Sequence, residues 1–153
     1  MKFRIFKILL LVAIGVFIGG FLFSDTQPRN FLQITNCENN CFSARELAGL
    51  VGSVGIQKFP QVMPKVILET ERTIVIPHPN PESPVHYLVL PKKDIKNIGE
   101  ISLEDQDYIM DALAVIRQIV KTEQLTNYQV ITNGPGQQKV TYLHFHLMAF
   151  PQK

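Results

Sequence analysis

Tyr142-Leu143-His144-Phe145-His146-Leu147-Met148 decides how this chain is read. Side chains alternate along it with a period of two, the signature of a strand whose successive residues point to opposite faces. Tyr142, His144 and His146 then share one face, and Leu143, Phe145 and Leu147 share the other. The second is a core face. The first sets two of the chain's four histidines beside a phenol, with the imidazoles roughly 6.8 Å apart along the strand. Imidazole changes charge near neutral pH and serves as nucleophile, acid, base or metal ligand. An edge strand carrying two surface histidines would show the same pattern.

The first 24 of the 153 residues stand apart. Lys2, Arg4 and Lys7 precede an uncharged apolar run from about Ile8 to Phe23. A signal peptide or a short membrane anchor has this layout, and a span takes about 17–25 apolar residues. Counting Ile5 and Phe6 around Lys7, whose stem can snorkel, supplies the length. Gly-Gly-Phe-Leu-Phe-Ser at residues 19–24 matches a small-x-small cleavage site poorly. A retained single-pass anchor is therefore expected. Its cations lie on the N-terminal side, which favours an extracytoplasmic domain without excluding a cytoplasmic one.

Residues 25–42 have linker composition, with Asp25, Thr26, Pro28 and Asn30 followed by Cys37 and Cys41. Outside the cell that cysteine pair could form a disulfide; inside, free thiols or half of a zinc site. Residues 43–153 suffice for one domain with its own core. The net charge of +2 is partly made by the leader's own cations. No basic block or aromatic stripe marks a nucleic-acid surface, and no repeat or low-complexity tract is present.

Ser43 to Leu50 reads as a short helix capped by Ser43 with Glu46 as its capping-box partner, broken by Gly49, Gly52 and Gly55. Val66–Glu69 and Thr73–Ile76 read as a hairpin about Thr70-Glu71-Arg72. The four prolines between Pro77 and Pro84 make a stiff loop that holds His78, a surface position. Val85–Leu90 is the next strand, with His86, Leu88 and Leu90 on one face. Ser102 caps a long helix, Glu104 and Asp105 oppose its dipole, and Ile109, Leu113, Ile116 and Val120 form its core stripe. Tyr128–Thr132 is a strand, Asn133–Gln138 a polar turn, and Val140–Phe150 the last strand. The whole is an α+β domain with an antiparallel sheet and one long helix.

Val85-His-Tyr-Leu-Val-Leu-Pro-Lys92, the long helix, Asn133 with its Gly/Gln loop, and Gln138-x-Val-x-Tyr-Leu-His-Phe-His-Leu-Met148 together resemble the histidine triad family of nucleotide hydrolases and transferases. The resemblance covers roughly residues 64–150. It implies that His144 is the nucleophile on an α-phosphate, that His146 helps neutralise the phosphate oxygens, and that His86 supports the nucleophile from behind. Asn133, Gln138 and Tyr142 would face the substrate. The implied substrate is a nucleoside phosphoramidate or dinucleoside polyphosphate, the implied partner in solution a second copy of the chain, and no metal or cofactor is required. A fold that keeps the phosphate pocket without efficient chemistry is the alternative.

Three positions depart from the family pattern. Tyr142 stands where the motif has its first histidine, a position that also ligates zinc in members with paired cysteines. His78 stands where an aspartate binds ribose hydroxyls, and imidazole lacks the carboxylate's two acceptors. Lys139 stands where serine or an acidic residue is usual.

Overall fold

The computed structural model of the protein describes residues 2–23, 44–59 and 65–151. Cys37, Cys41, the linker and the Ser43 cap lie outside them. The elements are α1 (Lys2–Phe23), α2 (Ala44–Lys58), β1 (Leu68–Glu69), β2 (Thr73–Pro77), β3 (Val85–Pro91), α3 (Gln106–Thr122), β4 (Tyr128–Thr132) and β5 (Phe145–Ala149). The strands form one antiparallel sheet in the order β1-β2-β3-β5-β4.

Alternation along β2, β3 and β5 divides the sheet into two faces. Val75, Val89, Phe145 and Leu147, with Leu143, meet Ala112, Val115, Ile116 and Ile119 of α3 in the main core. Ile74, Leu90 and Tyr142 lie on the other face, where Ile56 of α2 closes over them. His86 and His146 occupy positions of that second face. The chain therefore needs two helices to cover the sheet, and the imidazoles sit on the side that α2 covers only in part.

α2 corrects the expectation of a short helix broken by glycine, because it runs unbroken through Gly49, Gly52 and Gly55. Each interior glycine costs roughly 1 kcal/mol relative to alanine. Burial of Ser53 and Ile56 against the sheet offsets that cost. The last strand is also shorter than expected and begins at Phe145, not Val140. Upstream the backbone leaves the ladder: Tyr142 N–H donates to the Val140 carbonyl and Leu143 N–H to the Ile95 carbonyl. The helical stripe of α3 is rotated from the expected one. Leu113 is exposed, and Ala112, Val115 and Ile119 join Ile116 inside.

A 3-10 turn, Leu103–Asp105, leads into α3 after Ser102. The Asp105 carboxylate accepts from the Ser102 backbone N–H at 2.7 Å and from its hydroxyl at 2.9 Å. It also meets the Lys93 ammonium at 2.7 Å, with both side chains buried. Burial alone would raise the Asp105 pKa, but the hydrogen bonds from Lys93 and Ser102 outweigh it and hold the carboxyl below its ordinary value. The stabilisation is complete above the unfolded-state value of about 3.9 and is lost as pH falls through the folded value. Asp105→Asn keeps the shape but removes the charge facing the buried Lys93 ammonium, which is left with the Glu104 carbonyl at 3.0 Å. Urea unfolding at pH 7 should show a loss of about 2–4 kcal/mol, and that deficit should shrink on acidification below pH 4.

Candidate active site

β3 and β5 pair so that Leu88 faces His146 and His86 faces Met148. One step of offset along the strands lets the two imidazoles meet diagonally. His86 Nε2 lies 3.0 Å from His146 Nδ1. The protons in this pair are ordered by the backbone. Glu82 N–H donates to His86 Nδ1 at 3.1 Å, so the neutral His86 ring carries its proton on Nε2 and donates it to His146 Nδ1. His146 must then carry its own proton on Nε2. The Asn133 side-chain amide nitrogen lies 3.3 Å from that atom, and a half-turn of the amide brings its oxygen there as acceptor.

His144 is ordered in the opposite sense. Its Nδ1 lies 2.7 Å from the Tyr142 carbonyl, which can only accept, so Nδ1 holds the proton and Nε2 keeps a lone pair. The rings of His144 and His146 meet edge-on, with centroids 4.9 Å apart. A bare nitrogen lone pair and an N–H donor thus stand side by side. This pairing is what attack on a phosphoryl group needs: a nucleophile, with a hydrogen-bond donor for the oxygens that gain charge.

Electrostatics keep these rings neutral. Burial lowers the His144 pKa; the hydrogen bond to the Tyr142 carbonyl opposes this, and electrostatic repulsion from the neighbouring His78 adds to the lowering. His146 is pushed down to about 4 by burial and by His144, His86, His78 and Lys139. His86 is lowered by burial and by His78, against the pull of Glu82.

Two expected substrate contacts are corrected. Tyr142 is 2% exposed, and its hydroxyl donates to the Pro91 carbonyl inside the second core cluster. The phenol is thereby used in packing, and its carbonyl is what reaches the site. Gln138 is buried as well. Its amide nitrogen donates to the Lys96 carbonyl at 2.9 Å and the Tyr142 carbonyl at 3.4 Å. It therefore braces the carbonyl that orients His144 instead of facing a substrate.

His78 was expected as a surface loop residue, yet it belongs to the cluster. Its ring stacks on His86 at 4.0 Å, with the planes 4° apart, and lies 5.5 Å from His146. The strand register explains this. β2 and β3 pair as far as Pro77 opposite Tyr87, and one further step sets His78 opposite His86, where His78 N–H donates to the His86 carbonyl at 2.8 Å. Extending the hairpin register in the sequence would have found it; the surrounding prolines hid it.

Ring nitrogens of His78, His86 and His146 lie within 4.8 Å of one another, a separation that invites a metal ion. The proton order argues against that role. A histidine ligand normally donates its other N–H outward, as His78 Nδ1 can toward the Asn80 carbonyl at 2.6 Å. His86 instead accepts on Nδ1, which leaves a proton where the ion would bind. The cluster is built as a chain of hydrogen bonds. Titration of the imidazole resonances by NMR should accordingly show His146 protonating near pH 4; a midpoint at or above 6.5 would mean that the ring is not held as a neutral acceptor.

Comparison with known proteins adds to this geometry. A family model described as "Scavenger mRNA decapping enzyme C-term binding" matches residues 57–153. An uncharacterised HIT-like protein of Chlamydia trachomatis is 34% identical over 85 residues, spanning 54% of this chain and 77% of that protein. The zebrafish adenosine 5′-monophosphoramidase HINT3 is 26% identical over 123 residues, spanning 74% of this chain and 77% of the relative. The solved structure of a histidine triad protein from Clostridium difficile superposes with a TM-score of 0.59 at 27% identity, covering 67% of this chain and 91% of that one.

Proposed function

The chain belongs to the histidine triad superfamily, and on that premise we propose that it is a nucleotidyl hydrolase that works through a covalent His144 intermediate and is held to a membrane by α1. The observation that carries this reading is the opposed proton order of His144 and His146. The Nε2 lone pair of His144 attacks the phosphorus of a nucleoside phosphoramidate or of a dinucleoside polyphosphate. As the N–P bond forms, the bond to the leaving group breaks, and a departing amine takes up a proton. Water then attacks the same phosphorus and His144 regains its lone pair. The His146 Nε2–H, held by the Asn133 amide oxygen in the free protein, passes to a phosphoryl oxygen when substrate binds. Splitting one displacement into two lowers each barrier.

His86 acts one step back. Its Nε2–H fixes the His146 tautomer, and His78 packs on its outer ring face. Gln138 acts through the Tyr142 carbonyl, and Tyr142 itself through the position of that carbonyl. A tyrosine in the first motif position is compatible with this chemistry, because the nucleophile takes its orienting contact from the backbone. The anchor reading rests on α1, in which Arg4–Phe21 is long and apolar enough to cross a membrane and no part is buried within the protein.

Release of AMP from adenosine 5′-phosphoramidate tests the reading. His144→Ala should lower kcat/KM at least about a thousandfold, with the fold intact by circular dichroism. Since the histidine pKa values are lowered, the rate should hold level through neutrality and fall on the acid side only below the ordinary imidazole value of 6.5. Turnover by His144→Ala equal to wild type would refute the assignment.

A further inference from the structure

We propose that the substrate is a lipid-linked phosphoanhydride, one arm a nucleotide and the other a membrane lipid, cleaved at the surface of the bilayer that α1 spans. This deepens the hydrolase reading above and rests on it. Four observations lead to it.

The first is that the fold leaves α1 unburied. Its side chains from Arg4 to Phe21 are unburied, Val16 and Phe17 being 70% and 78% exposed, and a face of that size calls for an apolar surrounding. The second is the contact between α1 and the domain. The Lys58 ammonium at the end of α2 lies 5.8 Å from the ring centre of Phe21, near the C-terminal end of α1. A lysine beside the end of an apolar span, its stem along the span and its ammonium among the headgroups, marks the membrane interface. α2 therefore lies at that level.

The third observation joins α2 to the site. Its inner face, with Ser53 and Ile56 buried, covers the sheet face that carries His86 and His146. Ile56 packs in one cluster with Tyr142, whose carbonyl orients His144. From Leu90, in that cluster, to His86 is four residues of β3, about 13 Å at roughly 3.3 Å per residue. The imidazoles thus lie on the sheet face that α2 covers, a short way along β3 from its contact with α2. The outer surface of the same helix and its end expose Val51 and Phe59, 64% and 39% accessible.

The fourth is chemical. A tether gives no advantage toward a freely diffusing nucleotide, whereas enzyme and substrate confined to one surface meet at effective concentrations on the order of millimolar. A leaving group that departs without taking up a proton suits this site best, since no carboxylate is bonded to any of the four imidazoles among the described residues. A lipid phosphate leaving from an anhydride is such a group; a lipid alkoxide leaving from a simple phosphodiester is not. His144 Nε2 bonds to the nucleoside-bearing phosphorus, the anhydride P–O bond breaks, and the lipid phosphate leaves with the electron pair. Water then cleaves the P–N bond. One water is consumed, and the products are a nucleoside monophosphate and a lipid monophosphate.

The test uses the full chain reconstituted in vesicles of phosphatidylcholine and phosphatidylglycerol. CMP release is measured from cytidine diphosphate-diacylglycerol in the vesicle and from its deacylated, water-soluble counterpart. The proposal expects kcat/KM on the vesicle substrate to exceed the soluble one about a hundredfold or more, and to vanish in His144→Ala. Lys58→Glu, which reverses the charge at the anionic surface, should lower vesicle turnover roughly tenfold and leave cleavage of soluble adenosine 5′-phosphoramidate unchanged. Equal turnover of acylated and deacylated substrate would overturn it. So would cleavage of the phosphoramidate with the vesicle substrate untouched, an outcome that leaves the hydrolase reading standing. Cleavage of none of the three substrates would overturn both.

Discussion

The hydrogen bond from His86 Nε2 to His146 Nδ1, 3.0 Å long, is the constraint on which the site depends. It is set from outside by a main-chain donor, Glu82 N–H, which cannot change its protonation state. One backbone amide therefore dictates the tautomer of His86, which dictates that of His146, which turns an N–H toward the pocket. His144 takes the opposite tautomer from a main-chain acceptor, the Tyr142 carbonyl. Two adjacent imidazoles of identical chemistry become a hydrogen-bond donor and the bearer of a free lone pair through this difference alone. No charged side chain is needed to distinguish them.

The fold exists around that constraint in a specific way. β5 is an interior strand, paired with β3 on one side and β4 on the other, so His146 is held between two strands. α3 supplies most of the core on the opposite face and leaves the imidazole face to α2 and to solvent. Burial on that face lowers the histidine pKa values, which keeps nitrogen lone pairs available at neutral pH. Packing and reactivity thus have one origin.

Much of this was legible in the sequence. Period-two alternation located β3, β4 and β5, and Ser102 with its following acids located the start of α3. Alternation put His144 and His146 on one face, and the family resemblance added His86 and Asn133; the structure brings the four together. Other features were not legible, for physical reasons. Glycines inside α2 suggested a break because propensity says nothing about the sheet that covers Ile56. Tyr142 was placed by parity on the imidazole face, and it does lie there, but parity cannot show that a phenol reaches past the site to the Pro91 carbonyl. The family resemblance implies a substrate-facing Gln138, and an amide in a sequence gives no sign that it turns instead to the Lys96 and Tyr142 carbonyls. His78 was hidden by prolines, although the hairpin register implied its place opposite His86.

The central claim is a covalent bond between His144 and the substrate's phosphorus. Rapid acid-free quenching during turnover, followed by proteolysis and mass spectrometry, tests it most directly. The account predicts a nucleotidyl adduct on the peptide bearing His144, formed and discharged at rates that match turnover, and absent in His144→Ala. Turnover that proceeds with no adduct at any time point, or with the adduct on His146, would contradict it.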